Sequence, residues 1–536
     1  MKDAELWNKY CSFFEKSFSD QLDYNTRTMK EYFNLWKQTK TAKQLCISGP
    51  EKIEDASVTT YSDYPILHEF GRRLDEKISE SPRQQDELLS NYFKRICRPI
   101  SPMLEGYLAG EFSICALTSG SQGTNKWVAH CEEFWRNYSL DAMAMLIMAC
   151  SAEYGETAAT SGDKGLNVSA PVPYMSGWGL KACEEHFGAV PPPEVADNIS
   201  DLRKKFYLAL ELIEKGQKIT IGGGVGSLFY TIYKYFIEPE SFYEDYRRSL
   251  PLGLAKTYMF LKWIGCKLGS RKYTNIKDIL PLKGVAISGV DAKLYLDFFK
   301  QEFGIEPLNC YGVTELGISM TGLPDRKHAL LPNLRSGYYE FLSETGEFKK
   351  IDELKKEMVY ELIGTPFGSI FIRYSSGDLL RVVDFRDDDM PVFSFEGRKT
   401  TIVEIQSYFR LTEDLMTRAL AMAGLRSSDK WAVAKITHPK EHLDILMEKE
   451  WPYTESQAAK IVFESLQSVC SDFRRYVEDF RVKKPSEVVR VEYLKKGAFL
   501  RYAMRQAKKG TPIGQIKPPK LVSANRLETF DLLKRI

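Results

Sequence analysis

The spacing of short β-prone runs is the feature that most restricts how this chain of 536 residues can fold. After Thr118 such runs first alternate with longer helical stretches, and then they follow one another closely. The alternation predicts a layered α/β architecture, and the close spacing predicts a more antiparallel portion after it. The predicted strands are Lys218–Ile221, Gly284–Ser288, Leu308–Tyr311, Tyr338–Leu342, Met358–Ile363, Ile370–Tyr374 and Leu380–Phe385.

The two ends of the chain have other patterns. Between Trp7 and Leu45, apolar residues recur at helical spacing, which predicts amphipathic helices. Close to residue 400 the pattern becomes that of a small α+β unit. We therefore predict a large N-terminal domain over residues 1–400 and a small, mobile C-terminal domain over residues 401–536. The elements predicted for the smaller domain are helices at Thr412–Ala423 and Glu455–Phe480 and strands at Trp431–Thr437, Leu443–Met447 and Val488–Tyr493.

Composition excludes several classes of partner. The 74 Lys and Arg residues nearly balance the 72 Asp and Glu residues, so the total charge predicts neither a nucleic-acid partner nor a membrane partner. The most apolar stretch, residues 142–150, is far shorter than the roughly 20 residues of a membrane-spanning helix, and we expect a buried helix there. The ten cysteines form no CxxC pair and no zinc pattern, and the charged N-terminus lacks a signal core. We therefore expect a cytoplasmic protein with reduced thiols.

Residues 118–126, with the sequence TSGSQGTNK, follow the β-prone run Phe112–Leu117. Backbone N–H groups can approach a phosphate closely where glycine removes the side chain, and the lysine adds a positive charge. The segment is therefore a candidate polyphosphate loop. An ordinary surface turn is the alternative, because Ser, Gly, Thr and Asn are also the usual turn residues.

Two acidic residues follow predicted strands further along the chain. Glu315 ends the segment Tyr311–Glu315, which follows an apolar run, and open α/β sheets bind ligands at such strand ends. The Glu315 carboxylate would suit magnesium, and Tyr311 could stack on a purine. Asp378, in Ser376–Asp378, could accept hydrogen bonds from the hydroxyls of a ribose. The alternatives are a solvated turn at Glu315 and a hairpin turn at Asp378.

Lys517 lies in a proline-rich segment near the end of the chain, Gly514–Pro519. Prolines restrict the backbone, so this segment could hold the lysine ammonium toward a leaving phosphate. A solvated lysine in a tail is the alternative. The six histidines, in contrast, form no nucleophile or metal constellation.

The order of these segments resembles that of one superfamily, which groups acyl-CoA synthetases, nonribosomal adenylation domains and luciferases. Residues 118–126 resemble its TSGTTGxPK loop, Tyr311–Glu315 its YGxTE motif and Ser376–Asp378 its ribose-binding motif. Gly397–Lys399 resembles its hinge motif. Within this superfamily the chain is most similar to the Gretchen Hagen acyl acid-amido synthetases, the auxin-responsive family.

Three further segments carry the similarity to these synthetases, and the likeness runs from about Leu117 to the C-terminus. Leu331–Phe341 resembles the family's PN...AYFEF segment, and Tyr374–Val382 resembles YRVGDILRV. Ala503–Lys520 resembles GASINQYKVPR.

The resemblance implies a ligase that uses ATP and Mg²⁺. A carboxylate attacks the α-phosphate of ATP, which gives an acyl-AMP and pyrophosphate, and the amine of an amino acid or similar acceptor then takes the acyl group as an amide. The catalytic residues would be Glu315, which would bind magnesium, and Lys517, which would offset charge on the α-phosphate. The implied ATP-binding residues are Thr118, Ser119, Gly120, Ser121, Lys126, Ser288, Gly289, Tyr311, Gly312, Thr314, Glu315, Tyr338, Asp378 and Arg398.

Two other functions stay open at this point. A thioester-forming ligase of the same superfamily would use coenzyme A or a carrier-protein thiol in place of the amine. A non-catalytic binding protein would keep the fold and bind nucleotide without any carboxylate-dependent reaction. The sequence names neither the acid nor the acceptor.

Overall fold

The structure, a computed structural model, describes most of the chain. The described residues are 3–47, 49–118, 126–199, 202–249, 254–268, 273–288, 295–399, 403–405, 409–425, 430–437, 441–449, 451–507, 520–522 and 527–535. The α-helices are α1 Asp3–Tyr10, α2 Phe18–Trp36, α3 Lys40–Gln44, α4 Pro65–Glu80, α5 Leu89–Cys97, α6 Glu132–Ala149, α7 Met175–Cys183, α8 Pro193–Ala196, α9 Leu202–Glu214, α10 Gly226–Ile237, α11 Pro239–Ser249, α12 Leu254–Leu268, α13 Leu296–Phe298, α14 Glu413–Met422, α15 Glu455–Val469, α16 Ser471–Asp479, α17 Ala498–Ala507 and α18 Leu527–Arg535. The strands are β1 Phe112–Leu117, β2 Trp127–Cys131, β3 Lys164–Leu166, β4 Gly188–Val190, β5 Ile221–Gly224, β6 Gly284–Ser288, β7 Leu308–Val313, β8 Gly317–Leu323, β9 Arg326–Pro332, β10 Gly337–Ser343, β11 Phe348–Lys349, β12 Val359–Pro366, β13 Tyr374–Phe385, β14 Pro391–Arg398, β15 Val403–Ile405, β16 Phe409–Leu411, β17 Trp431–Ile436, β18 His442–Glu448, β19 Val489–Leu494 and β20 Leu521–Val522.

A mixed sheet of 12 described strands has the order β11-β10-β12-β13-β14-β9-β8-β7-β6-β5-β3-β4. Strands from β11 to β7 pair antiparallel, whereas those from β7 to β4 pair parallel. Parallel neighbours need long crossovers, and helices such as α10 supply them. The predicted α/β class with an antiparallel portion is therefore confirmed, and β7 joins the two halves.

Helix α6 packs beneath this sheet, against β6, β7 and β8. Its second half is apolar on every side, and Met143, Ile147 and Met148 are fully or almost fully buried. The predicted buried helix at residues 142–150 is therefore confirmed. Within the described ranges, no helix combines the length and the apolarity that crossing a membrane requires.

Two predicted strands are wrong in detail. The run Lys218–Ile221 contributes only its last residue to β5. The run Ile370–Tyr374 is a loop until β13 begins at Tyr374, although Phe371 and Ile372 are fully buried. Several of its backbone groups bond to side chains, as when the Ile372 N–H donates to the Tyr64 hydroxyl at 3.1 Å, and the Arg373 carbonyl accepts from the Thr59 N–H at 3.0 Å instead of from a strand. A short buried apolar run gives no periodicity that would separate the two structures.

The region beyond residue 400 contains a sheet of four described strands, β19-β18-β17-β20, with its own buried apolar cluster under α14 and α15. The predicted helix Glu455–Phe480 is wrong, because it is divided into α15 and α16 at Cys470. Cys470 has extended backbone angles, and its Sγ accepts a hydrogen bond from the Phe473 N–H at 3.5 Å, which starts α16. The domain boundary at residue 400 stays a prediction.

A buried ion pair fixes the segment that leads into β13. Arg373 has a left-handed backbone (φ 41°), and its guanidinium forms two hydrogen bonds to Glu340 of β10, at 2.7 and 2.8 Å. The same guanidinium donates to the Glu54 carbonyl at 2.7 Å and to the Ala56 carbonyl. Burial raises the pKa of Glu340, and Arg373 opposes this rise. One side chain thus joins the N-terminal region, β10 and the start of β13.

Replacing Arg373→Met should destabilise the protein by about 3–5 kcal/mol, because Glu340 would remain buried without a partner. Urea unfolding followed by tryptophan fluorescence measures this. Arg72→Met is the control, since Arg72 pairs with Glu69 at the surface, and it should leave the urea midpoint unchanged. Equal midpoints for Arg373→Met and the wild type would show that the ion pair is not what holds this segment.

Candidate active site

Asp378 lies where three strands meet. Its Oδ2 accepts a hydrogen bond from the Tyr311 hydroxyl of β7 at 2.6 Å, and its Oδ1 accepts from Nε of Arg398, on β14, at 2.7 Å. Only 1% of Asp378 is exposed. Burial alone would lower the pKa of Arg398, but the charge of Asp378 outweighs it and raises that pKa. Burial and the charge of Asp378 together raise the pKa of Tyr311, so its hydroxyl remains a hydrogen-bond donor.

A bulge in β13 turns Asp378 inward. Ser375 pairs with Ile363 of β12, but the next pair is Leu379 with Glu361, so β13 has two extra residues there. Gly377, within this bulge, has a left-handed φ of 76°, which favours glycine. The alternative of a hairpin turn at Ser376–Asp378 is therefore wrong, because one strand runs through the segment.

Glu315 lies in the turn between β7 and β8. Its Oε1 accepts a hydrogen bond from the Tyr374 hydroxyl at 3.0 Å. Burial raises the pKa of Glu315, whereas its own backbone N–H, the Tyr374 hydroxyl and the charges of Lys126 and Arg398 oppose the rise. Charges interact strongly only at short range, so the Lys126 and Arg398 side chains lie near Glu315. The structure therefore brings Glu315, Lys126 and the Asp378–Arg398 pair together.

His130 stabilises the turn that carries Glu315. The carbonyl of Thr314 can only accept, so Nε2 of His130 donates to it, at 3.1 Å, and Nδ1 is left to accept from the Ser369 hydroxyl at 3.1 Å. The imidazole stacks on Phe134 with ring centroids 3.6 Å apart. Burial lowers the pKa of His130 to about 3, so the ring is neutral at ordinary pH.

Gly312 is required at the end of β7. A Cβ at this position would lie 2.4 Å from the carbonyl oxygen of Gly317, on the facing strand, which is closer than real Cβ contacts. The pairing of β7 with β8 shifts register between Tyr311 and Gly312. The Tyr311 ring before this shift stacks on Phe395 of β14, with centroids 5.7 Å apart.

The candidate phosphate loop joins β1 and β2, which pair antiparallel. At its base the Thr118 N–H donates to the Lys126 carbonyl, and the Lys126 N–H donates to the Thr118 hydroxyl, both at 2.9 Å. The Lys126 ammonium lies 5.0 Å from the centre of the Tyr61 ring. The strand predicted before the loop is confirmed, whereas the predicted contacts of Ser119, Gly120 and Ser121 lie outside the described residues.

The remaining predicted residues have different outcomes. Ser288 ends β6 and pairs in register with Cys310 of β7, so it lies near the site, whereas Gly289 and Lys517 lie outside the described residues. Tyr338, predicted among the ATP-binding residues, lies away from the other site residues. Its hydroxyl donates to Glu54 at 3.1 Å, and its ring packs in a separate apolar cluster with α2.

The sheet register explains the position of Tyr338. Tyr339, the next residue of β10, is aligned through Gly364 of β12 with Tyr374, the partner of Glu315. Successive residues of a strand face opposite sides, so Tyr338 lies on the other face of the sheet.

Solved structures of the GH3.15 acyl acid amido synthetase resemble this structure along nearly its whole length. One has a TM-score of 0.62 and 17% sequence identity, and the match covers 95% of this chain and 92% of that chain. Another, in complex with 2,4-DB, has a TM-score of 0.59 and 16% identity, with 96% and 95% covered. The chain has the acyl acid amido synthetase fold. No protein-family model and no curated protein sequence matches it.

Three residues of the site in this synthetase fold, Tyr374, His130 and Tyr61, are not among those predicted from the sequence. Tyr374 has a local signal, because it begins the same segment as Asp378. His130 has none, since its partner Thr314 is 184 residues away in the sequence. Tyr61 has none either, because it lies in the N-terminal region and its ring approaches Lys126 only after the chain has folded.

His130 should make the protein acid-sensitive. An unfolded histidine titrates near pH 6.5, so protonation favours the unfolded state once the pH falls below that value, by about 2 kcal/mol at pH 5. His130→Gln keeps an N–H donor for the Thr314 carbonyl but cannot titrate. Between about pH 6.5 and 5 the Tm of this variant should therefore fall less than the Tm of the wild type. The exposed His328 offers the control, His328→Gln, which should keep the wild-type slope. A wild-type slope in His130→Gln would contradict the assignment.

Proposed function

We propose that the protein activates a carboxylic acid with ATP, releases pyrophosphate, and transfers the acyl group from acyl-AMP to the amine of an amino acid or a similar acceptor. One observation carries the proposal. Asp378, Arg398, Glu315 and Lys126 come together at the end of β7, in the fold that is also found in an acyl acid amido synthetase.

ATP would lie across the end of β7. The Asp378 carboxylate has further lone pairs that can accept from ribose hydroxyls, with Arg398 beside it. Tyr311 and Ser288–Gly289 would frame the adenine. The loop that begins at Thr118 would surround the β- and γ-phosphates, and Lys126 at its base would add a positive charge.

Glu315 is suited to hold Mg²⁺. Among the described residues, no group of three or more His, Cys, Asp or Glu is arranged to hold a metal ion. One carboxylate fits Mg²⁺ nonetheless, because this ion keeps several waters and takes its other ligands from substrate phosphates. The bound ion would neutralise phosphate charge that repels the incoming carboxylate.

Adenylation solves a chemical problem of the substrate. A carboxylate resists attack by an amine, because its negative charge repels the nucleophile and oxide is a poor leaving group. When a carboxylate oxygen attacks the α-phosphorus, the bond to the bridging oxygen breaks and pyrophosphate leaves. The amine then attacks the acyl carbon, AMP leaves with the bonding electrons, and the amine loses a proton.

Lys517 would act in the first step by offsetting the charge that builds on the α-phosphate. The C-terminal domain, residues 401–536, would deliver it, and rotation near residues 398–401 would separate the two half-reactions. Such a reaction fits the cytoplasm, where we place the protein. Removing one preorganised donor of this kind typically costs about a hundredfold to a thousandfold in rate.

Pyrophosphate release from ATP should depend on an added carboxylic acid, and a panel of acids would identify the substrate. Lys517→Ala should lower acid-dependent release about a hundredfold to a thousandfold. Glu315→Gln keeps an acceptor for the Tyr374 hydroxyl but loses the charge, so it should need more Mg²⁺. Lys495→Ala, at an exposed lysine, is the control and should act like the wild type. Nucleotide binding without acid-dependent release would instead indicate a non-catalytic binding protein.

The acceptor can be tested separately. With ATP and the active acid present, amino acids should yield an amide that is resistant to hydroxylamine, and coenzyme A should yield no thioester. A thioester that forms with coenzyme A in place of the amide would keep the adenylation step and overturn the amide assignment.

A further inference from the structure

Helix α12 places a row of apolar side chains in solvent. Tyr258, Leu261 and Leu268 are 55%, 61% and 84% exposed, and they recur at spacings of three and seven residues along one face. Phe260, on the neighbouring face, is 40% exposed. The other side of α12 packs on α11, and none of the residues 257–268 is fully buried. Exposed apolar area that is concentrated on one helix is typical of an interaction surface.

The sequence that contains this helix has an uneven charge. Residues 246–277 contain eight basic residues and no acidic residue, between Asp245 and Asp278, although the whole chain has a net charge of only +2. Lys262 and Lys267 are exposed, and their ammonium groups lie 5.7 Å from the Tyr258 ring and 4.3 Å from the Trp263 ring. The basic residues are Arg247, Arg248, Lys256, Lys262, Lys267, Arg271, Lys272 and Lys277.

We propose that α12 is a docking surface for an anionic lipid bilayer, with the helix lying in the plane of the membrane interface. The exposed row of Tyr258, Leu261 and Leu268 would enter the boundary between headgroups and acyl chains, and the lysines would contact anionic headgroups. Lysine and tryptophan or tyrosine in contact suit this depth, since each has an apolar body and a polar tip. The near-zero total charge predicts no membrane partner, but binding to a bilayer through one helix depends on the local charge of that helix, which is positive.

A second copy of the chain is the less suitable occupant. Two copies of this face would place the exposed Lys262 and Lys267 of one against those of the other, and α12 itself, residues 254–268, contains no acidic residue to compensate. An anionic bilayer supplies both features that the helix lacks, an apolar layer and a negative surface. Binding of this surface to a bilayer needs no turnover, so it can be measured whether or not the protein carries out the proposed reaction.

Vesicle flotation with the full-length protein tests the proposal. At low salt the protein should float with vesicles of phosphatidylcholine and phosphatidylserine, but not with phosphatidylcholine alone, and salt should weaken binding. Lys262→Gln with Lys267→Gln should weaken it about 25-fold, since each lysine contributes about fivefold. Tyr258→Ser with Leu261→Ser should weaken it at least about tenfold.

The controls match these variants in exposure. Leu35 and Met422 are 55% and 61% exposed, the same fractions as Tyr258 and Leu261, so Leu35→Ser with Met422→Ser removes equal exposure elsewhere and should leave flotation unchanged. Lys30→Gln with Lys43→Gln, at exposed lysines of α2 and α3, should also bind normally. The proposal is overturned if the wild type does not float, or if both serine pairs behave alike. A dimer in size-exclusion chromatography that is lost in Tyr258→Ser with Leu261→Ser would assign the face to a second copy instead.

Discussion

The contact of Asp378 with Tyr311 and Arg398 sets both the shape of the sheet and the geometry of the site. In the strand order, β13 and β7 are separated by β14, β9 and β8. Neighbouring strands lie about 4.8 Å apart, so β13 and β7 would be about 19 Å apart in a flat sheet. The Tyr311 hydroxyl nevertheless reaches Asp378 at 2.6 Å, so the sheet bends around this carboxylate. A buried charge without these partners would be costly, which makes the bent arrangement and the paired carboxylate depend on each other.

The second acidic residue is placed by the same strand. Tyr374 begins β13 and donates to Glu315, four residues before Asp378 emerges from the bulge. Arg373, just before it, is tied to Glu340 on β10 and to the N-terminal region. His130 fixes the Glu315 turn through its hydrogen bond to the Thr314 carbonyl. Residues 373–378 therefore help to position both acids of the candidate site, and the proposed binding of a ribose and a metal at a fixed separation would need such support.

Much of this arrangement could be predicted from the sequence, and the failures have physical causes. The strand at Gly284–Ser288 is predicted to the residue, because an apolar run lies between turn-forming residues. The loop before Tyr374 is predicted as a strand, because burial without periodicity does not reveal which groups satisfy the backbone. Glu315 and Asp378 could be found from motif order, whereas His130 and Tyr61 act through contacts that exist only after the chain has folded. Tyr338 belongs to a similar segment, but strand alternation turns it to the other face.

The central claim is that one nucleotide is bound by Asp378, Glu315 and the loop that begins at Thr118. A crystal structure with Mg²⁺ and a non-hydrolysable ATP analogue tests it most directly. The account predicts the ribose hydroxyls on Asp378, the metal on Glu315 and the phosphates beside Lys126. A nucleotide bound elsewhere, with the Asp378 and Glu315 carboxylates both free of it, would contradict the account.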